Sequence, residues 1–188
     1  MSMSKTLLPA VLALAVVLAA LAVYTFAKSA PQGPNLGQVA TPQDIAGWDI
    51  TIMPDGTGLP KGSGTARMGA KIYAEKCADC HGNSAQGRSA EPLAGGIGSL
   101  TGEAPDQTVG SYWPYATTLF DYIRRAMPPQ APLSLSADEI YALSAFILHL
   151  NGLIGPDEEL SAENLPKIEM PNRNGFIQIY KEGEEKEP

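Results

Sequence analysis

The residues with the clearest chemical potential are two cysteines and a histidine in the run Cys77-Ala-Asp-Cys80-His81. Cys-x-x-Cys-His is the attachment sequence of c-type haem. Two thiols three positions apart at a helix end can reach the two vinyl groups on one edge of a porphyrin. The next residue then places its imidazole under the iron as the proximal ligand. The motif predicts one covalently attached haem c, held by Cys77, Cys80 and His81.

Two other kinds of site also use a Cys-x-x-Cys pair. A thioredoxin-like dithiol opens a helix after a strand, whereas this motif ends a predicted helix. A zinc site needs a second pair of ligands, and His149 is the only other histidine in a chain with two cysteines. Both alternatives are therefore weaker than haem attachment.

The iron of such a haem needs a sixth ligand, and Met127 is the predicted one. It is followed by Pro128, lies 46 residues after His81 and stands nine residues before Ser136. A thioether suits ferrous iron and raises the reduction potential relative to two imidazoles. The competing interpretation of Met127 is a core methionine that finishes a helix.

Four other side chains are candidates for the same position. Met170 and Met53 each precede a proline, and Met170 is the better of the two because a long C-terminal segment could fold back over the haem. Met68 lies on the helix that carries the haem motif and is expected to pack against the last helix. His149 lies opposite Ile140 on a helix of 3.6 residues per turn, so it is expected to face solvent.

Three helices are expected to position this chemistry. The first is capped by Ser63 or Thr65 and runs to Cys77, with apolar residues at helical spacing. Residues 115–127 form the second. The third covers 137–150, after a capping box formed by Ser136 and Glu139 and before the Asn151-Gly152 stop. A further short helix is expected after Thr41-Pro42.

Residues 1–27 have the composition of an export segment. An apolar run of 20 residues, Leu7 to Phe26, lies between Lys5 and Lys28. It would span roughly 30 Å as a helix, the thickness of a bilayer core, and is longer than the apolar region of a cleavable signal. The favoured prediction is a retained transmembrane anchor, and the alternative is a signal peptide cleaved after Ala27. Both place the rest of the chain on the periplasmic side of the bacterial cytoplasmic membrane.

The rest of the chain, residues 28–188, divides into three regions by composition. Residues 28–62 are expected to be a linker and an arm that wraps the domain, 63–151 a haem domain, and 152–188 an acidic C-terminal extension. After Ala27 the chain holds all 20 acidic and 12 of the 13 basic residues, a formal charge of −8. This balance argues against nucleic acid as a partner, because phosphate binding depends on clustered Lys and Arg.

The run Gly69-x3-Tyr73-x3-Cys77-x2-Cys80-His81, followed by Pro92-Leu93 and Met127-Pro128, resembles class I c-type cytochromes over residues 63–151. The resemblance implies an all-α cytochrome c fold, here with an N-terminal membrane or signal segment and long loop-rich extensions. It implies that Gly69 lets Phe146 approach where the first helix crosses the last. It also implies that the carbonyl of Pro92 accepts the N–H of His81, which would fix the imidazole.

A narrower resemblance covers about residues 40–177. It is carried by Trp48-Asp-Ile, Pro54-Asp-Gly-Thr-Gly-Leu-Pro60, the run from Gly110 to Pro128, and Met170-Pro-Asn-Arg-Asn-Gly-Phe176. These segments resemble the cytochrome subunit of bacterial sulfite dehydrogenase and Sox sulfur dehydrogenase complexes, whose partner subunit holds a molybdenum cofactor. The chain differs in having one haem motif, where the Sox sulfur dehydrogenase cytochromes commonly have two, and in its apparent anchor.

With both axial positions filled, the iron would have no open coordination site, so a one-electron carrier is expected rather than an enzyme. The favoured role is the electron-accepting subunit of a sulfite or sulfur-compound dehydrogenase, which would pass electrons to another cytochrome or a terminal oxidase. The alternative is a membrane-tethered shuttle between respiratory or photosynthetic complexes. A haem enzyme acting on thiosulfate or peroxide is disfavoured, because both cysteines are used for attachment and Met127 would have to leave.

Two groups of side chains near Met127 each allow two interpretations. Trp113, Tyr112 and Tyr115 are expected to be mainly core residues, with a haem border as the alternative. Arg124 and Arg125 are exposed helix charges by default, and the alternative is a basic rim that steers a partner to the haem edge.

Overall fold

The computed structural model describes residues 7–28 and 36–177. The chain divides after Ala46 into two compact units. The first contains α1 (Leu7–Lys28) and the short α2 (Pro42–Ala46). The predicted cap of α2 is confirmed, because Thr41 Oγ1 accepts the Asp44 N–H at 3.2 Å. Residues 29–35, within the predicted linker and arm, and residues 178–188, at the acidic end of the chain, lie outside the described residues.

The N-terminal segment is helical, but its expected role as an anchor gains no support. Among the residues whose side chains are described, no helix is long and apolar enough to cross a membrane. The transmembrane helix expected within residues 1–27 therefore stays a prediction, and so does the cleaved signal peptide.

The second unit is mainly helical. Its elements are β1 (Ser63–Thr65), α3 (Ala66–Lys76), α4 (Ala78–His81), α5 (Val109–Tyr112), α6 (Ala116–Ala126), α7 (Ala137–Leu150) and β2 (Glu159–Ser161), with single 3-10 turns at Ser99–Thr101 and Leu165–Lys167. The helices α3, α6 and α7 stand where the apolar spacing predicts them. The expectation of an all-α fold is correct for this helical core and incomplete for the two strands.

The helix starts follow from local side chains. Thr65, the second of the two predicted caps, accepts the Met68 N–H at 3.4 Å. At α7, Ser136 Oγ accepts the Glu139 N–H at 3.3 Å, and the Glu139 carboxylate accepts the Ser136 N–H at 2.8 Å, which confirms the capping box. A second capping box, Thr108 with Ser111, opens α5 in a stretch with no apolar periodicity, and the sequence interpretation missed it.

The crossing of α3 and α7 organises the core. A Cβ placed on Gly69 would lie 1.9 Å from the carbonyl oxygen of Ala142 and 2.8 Å from Cβ of Phe146. Only glycine permits this approach. The rings of Tyr73 and Phe146 then pack with centroids 5.1 Å apart. The predicted close approach of Gly69 and Phe146 is confirmed.

The two strands join distant parts of the second unit. β1 and β2 pair antiparallel, with Gly64 opposite Leu160, and Ser63 Oγ donates to the Glu159 carboxylate at 2.6 Å. Leu160 and Leu165 are fully buried. Strands of three residues are too short to show an alternating pattern, which explains why the sequence did not predict this sheet.

Candidate haem-binding site

The Cys-x-x-Cys-His motif lies at the junction of two helices. α3 ends at Lys76, Cys77 is the connecting residue, and α4 carries Cys80 and His81. The N–H groups of Cys80 and His81 both donate to the Cys77 carbonyl, at 3.2 and 3.0 Å. This tight turn places both side-chain thiols and the imidazole on the wall of one cavity. The two cysteines are not joined in a disulfide.

The cavity wall around Cys77 is poorly solvated. Burial raises the pKa of the Cys77 thiol to about 11; the nearby Lys76 opposes this shift and Cys80 adds to it. Burial likewise raises the pKa of Tyr73 to about 12, with a smaller contribution from Cys77. The Tyr73 hydroxyl donates to the Gly82 carbonyl at 3.0 Å, so it ties α3 to the residue after His81. Both groups are neutral at pH 7, as an apolar binding wall requires.

The imidazole of His81 is oriented by the backbone of the following loop. His81 Nδ1 lies 2.9 Å from the carbonyl oxygen of Glu91. A carbonyl only accepts, so Nδ1 carries the proton and Nε2 keeps a lone pair for a metal. This is the arrangement expected of a metal-binding histidine, whose second nitrogen is fixed by a hydrogen bond.

The carbonyl that accepts the hydrogen bond of His81 lies one residue before the predicted one. The resemblance assigned it to the carbonyl of Pro92, and the structure gives it to Glu91. The Leu93 N–H donates to the Ala85 carbonyl at 2.8 Å. Because the carbonyl and N–H of one trans peptide point in opposite directions, the Pro92 carbonyl is turned away from Ala85. Pro92 still lines the cavity beside His81.

Two adjoining cavities, of about 160 and 440 Å³, have part of their lining in common. They share His81 and Met127, which stand in different parts of the chain. The other lining residues common to both are apolar: Ala90, Leu93, Ile123 and Ile147. The helix α6 supplies Ile123 and ends at Met127, and α7 supplies Ile147.

Met127 is the methionine that the structure brings to His81. It caps the C-terminus of α6, where its N–H donates to the Ile123 carbonyl at 3.0 Å, and its side chain is partly buried. Met170, the predicted runner-up, is 3% exposed within the core and lines neither of these two cavities.

The remaining candidates for the sixth ligand also lie away from His81. Met53 and Met68 are 49% and 50% exposed, and neither lines the two cavities around His81. Met68 is therefore not buried against the last helix as expected. His149 is half-buried rather than turned to solvent, and its Nδ1 donates to the Ile154 carbonyl at 3.0 Å.

The residues present fit a covalently attached haem. Two thiols lie beside an imidazole whose Nε2 is free, and a thioether lies in the same cleft. The walls between them are largely apolar. This donor set, an imidazole nitrogen and a thioether sulfur, is one that haem iron takes in cytochromes c.

Of the three aromatic residues near α5, only Trp113 borders the cavities. It lines the larger one and packs edge-on against Tyr122, with centroids 5.7 Å apart. Tyr112 and Tyr115 instead hold the C-terminal segment. The Asn172 amide donates to the Tyr112 carbonyl at 2.7 Å, and the Arg173 guanidinium lies 4.5 Å from the centre of the Tyr115 ring.

Arg124 and Arg125 do not line these cavities, so the alternative of a basic rim gains no support. Both are half-buried rather than the exposed helix charges expected by default. Arg124 donates to the Ile50 carbonyl at 3.3 Å. Arg125 donates from Nε to both carboxylate oxygens of Asp121 at 2.9 Å and from Nη2 to Thr51 Oγ1 at 3.3 Å. Both side chains therefore link Ile50 and Thr51, which precede β1, to the end of α6.

Two participants were missed by the sequence interpretation. The Glu91 carbonyl belongs to the backbone, so the residue type gives no signal. Asn151 was interpreted only as a helix stop, although its side chain is buried and donates to the Leu93 carbonyl at 3.2 Å. A buried asparagine after a buried helix was the available signal, since a polar side chain there needs partners.

Comparison with known proteins agrees with this geometry. The sequence model of the cytochrome c family matches residues 66–151. A chain in the crystal structure of the sulfane dehydrogenase SoxCD from Paracoccus pantotrophus is similar at 46% sequence identity and a TM-score of 0.72, over 76% of this chain and 71% of that one. No curated protein matches the sequence. An extensive likeness at this identity, together with a haem motif in an apolar cleft, shows that the chain belongs to the cytochrome c family.

Proposed function

We propose that this cytochrome carries single electrons as the electron-accepting subunit of a sulfur-compound dehydrogenase. Electron transfer without catalysis by the chain itself follows from its family. The finer assignment is supported by the likeness to a chain of a sulfane dehydrogenase structure. The observation that carries the chemistry is the meeting of His81 and Met127 at one apolar cleft.

The residues of the cleft have distinct tasks. Bound haem c supplies reversible one-electron chemistry at its iron. Cys77 and Cys80 would hold the group by thioether bonds, and His81 would supply a nitrogen ligand in an orientation that the Glu91 carbonyl fixes. Met127 would supply a thioether as a second ligand from the same cleft, so a substrate would have no free position at the metal.

The partners follow from this division of labour. A molybdenum-containing subunit would oxidise the sulfur compound and deliver electrons singly to the cytochrome. Another cytochrome or a terminal oxidase would remove them. The formal charge of −8 after Ala27 makes the approach of either partner sensitive to salt.

Rapid mixing tests the proposal. The oxidised cytochrome is mixed with sulfite or thiosulfate, with and without the candidate molybdenum subunit, and haem reduction is followed by absorbance. We expect reduction only with the subunit, at a rate that varies with ionic strength. Oxidation of the substrate by the cytochrome alone would contradict the carrier role. Reduction by a quinol–cytochrome oxidoreductase but not by the molybdenum subunit would favour the shuttle.

We further propose that the protein works on the periplasmic side of the cytoplasmic membrane. The support is the apolar run from Leu7 to Phe26 and the chemistry of haem attachment, which in bacteria occurs on exported chains. Intact mass of the haem-stained protein tests the fate of the segment. A mass that begins at Lys28 indicates a cleaved signal, and a full-length mass in salt-washed membranes indicates a retained anchor.

A further inference from the structure

Asn151, the residue that ends α7, makes more hydrogen bonds than a helix stop requires. Its side chain is 8% exposed. The amide donates to the carbonyls of Ile147 at 2.9 Å and Leu93 at 3.2 Å, and its oxygen accepts the Gly95 N–H at 3.0 Å. Only the bond to Ile147 belongs to the helix end. The other two hold residues 93 and 95, which lie 58 and 56 positions away in sequence.

The loop that Asn151 holds has further attachments. The N–H groups of Leu93 and Ala94 donate to the Ala85 carbonyl at 2.8 and 3.1 Å. Thr108 Oγ1 donates to the Gly95 carbonyl at 2.7 Å. Asn151 therefore supplies the link from this loop to α7, and every hydrogen-bonding hydrogen of its amide is used.

Close packing fixes the amide from its other side. A Cβ on Gly110 would lie 2.0 Å from Asn151 Oδ1, so the first turn of α5 touches the amide directly. The amide has no room to rotate away from its partners. Its position is set by three elements that meet at this point, which are α5, α7 and the loop.

The same loop orients the proximal imidazole. Glu91, two residues before Leu93, accepts the hydrogen bond from His81 Nδ1. The helix α7, which ends at Asn151, also supplies Leu143 and Ile147 to the cavity wall. A shift of the 91–95 loop relative to α7 would therefore move the Glu91 carbonyl relative to the imidazole.

We propose that Asn151 is a positioning residue for the redox centre. It locks the 91–95 loop on α7 so that the Glu91 carbonyl stays on His81 Nδ1. That hydrogen bond raises the basicity of the imidazole and favours ferric iron. The proposal rests on the proposed haem ligation by His81. Loosening the loop weakens the hydrogen bond, so it raises the midpoint potential.

The change Asn151→Ser tests this without adding a charge near the redox centre. Serine is too short to span to the loop, so the hydrogen bonds to Leu93 and Gly95 are lost. We expect a higher midpoint potential in the holoprotein. We also expect exchange of the His81 Nδ1 proton, followed by NMR, to accelerate about tenfold, as for the loss of one hydrogen bond. Asn151→Leu, which is similar in size and has no hydrogen-bonding group, shifts both quantities in the same direction and replaces the serine variant if that fails to fold.

Asn164→Ser is the matched control. The Asn164 side chain bonds the Ser161 N–H and the Glu159 carbonyl, both at 2.7 Å, in a loop that does not line the two cavities. It should lower the unfolding midpoint without moving the potential or the proton exchange. Equal loss of stability in both variants with unchanged potentials would overturn the proposal and leave Asn151 as a helix cap. A wild-type protein without six-coordinate haem would instead contradict the proposed function.

Discussion

The two sides of the haem cleft are built differently. On the proximal side, the loop after His81 is fastened at many points. Ala85, Glu91, Leu93 and Gly95 all take part in hydrogen bonds between non-neighbouring residues. On the distal side, residues 128–134 form two short turns, in the first of which the Ala131 N–H donates to the Pro128 carbonyl at 2.9 Å, and Leu133 is 58% exposed.

This contrast indicates unequal freedom for the two proposed ligands. Regions with few buried contacts and few hydrogen bonds open at lower free energy than the core. The hydrogen-bonded loop around the His81 imidazole must unfold locally before the imidazole can move. The Met127 side chain lies at the start of a loosely held loop, so it should dissociate from the iron more readily than the imidazole.

The largest expected effect is at the attachment points. The double change Cys77→Ala and Cys80→Ala should abolish haem that survives denaturation, because no thioether can form. Met127→Ala should retain it fully, since its side chain makes no covalent bond. Haem staining of denaturing gels measures both. Loss of staining in the Met127 variant would contradict the assignment of attachment to the proximal side alone.

The next effect concerns the distal ligand. Met127→His should keep low-spin, six-coordinate haem and lower the midpoint potential, because imidazole donates more strongly to ferric iron than a thioether does. The long-wavelength ferric band of sulfur ligation should vanish. Potentiometric titration followed by absorbance measures both changes.

Met170→Leu is the control for the distal ligand, since Met170 is buried away from the two cavities. It should keep the sulfur band. Loss of the band in this variant but not in the Met127 variant would move the sixth ligand to the C-terminal segment.

A smaller effect, on stability alone, is expected where α3 crosses α7. Gly69→Ala puts a methyl group 1.9 Å from the Ala142 carbonyl oxygen, so the helices must separate. We expect a loss of about 3 kcal/mol in the free energy of unfolding. Gly155→Ala, where a Cβ meets nothing within 4 Å, should change it by less than about 0.5 kcal/mol. Chemical denaturation of the holoproteins measures both, and equal losses would show that the crossing is not tightly packed.

The smallest effect is the pH dependence that Glu139 contributes. The hydrogen bond from Lys76, at 2.7 Å, and then that of Ser136 hold the pKa of Glu139 below its usual value of 4.5. A carboxyl with a lowered pKa in the folded state stabilises it above pH 4.5, and this contribution is lost as the pH falls through the folded pKa. Glu139→Gln should remove it, at a cost below about 1 kcal/mol at pH 7 because the pair is partly solvated.

Unfolding midpoints between pH 3 and 7 check this prediction. Lys76→Gln should flatten the same part of the profile, because it removes the partner that contributes most to the pKa shift. An unchanged slope in both variants would show that the ion pair adds nothing to the packing of α3 on α7.

The sequence predicted the parts of the molecule whose signals are local. The haem motif has fixed spacing, Ser136 and Glu139 form a capping box that a four-residue window reveals, and Gly69 belongs to a motif with specific neighbours. The arrangement of His81 and Met127 follows from the helices on which they lie. Each of these features depends on residue type at a short, regular separation.

The features that the sequence did not predict depend on long-range geometry. The carbonyl that binds His81 differs by one residue from the expected one, because a peptide rotation leaves no trace in residue types. The partner of Arg124, the Ile50 carbonyl, lies 74 residues away, so charge alone suggested an exposed helix residue. The two-stranded sheet depends on a pairing between segments that carry no alternating pattern.

That sheet makes the folding unit longer than the segment that defines the family. The family match ends at residue 151, whereas β2 and the buried Leu160 and Leu165 lie beyond it. A chain that ended at residue 151 would lack both leucines. Loss of their burial would lower the free energy of unfolding by roughly 2 kcal/mol for each leucine. During synthesis, β1 must wait for about a hundred further residues before its partner strand exists. Closure of the fold is therefore a late, long-range step, and it follows the appearance of every residue of the cleft.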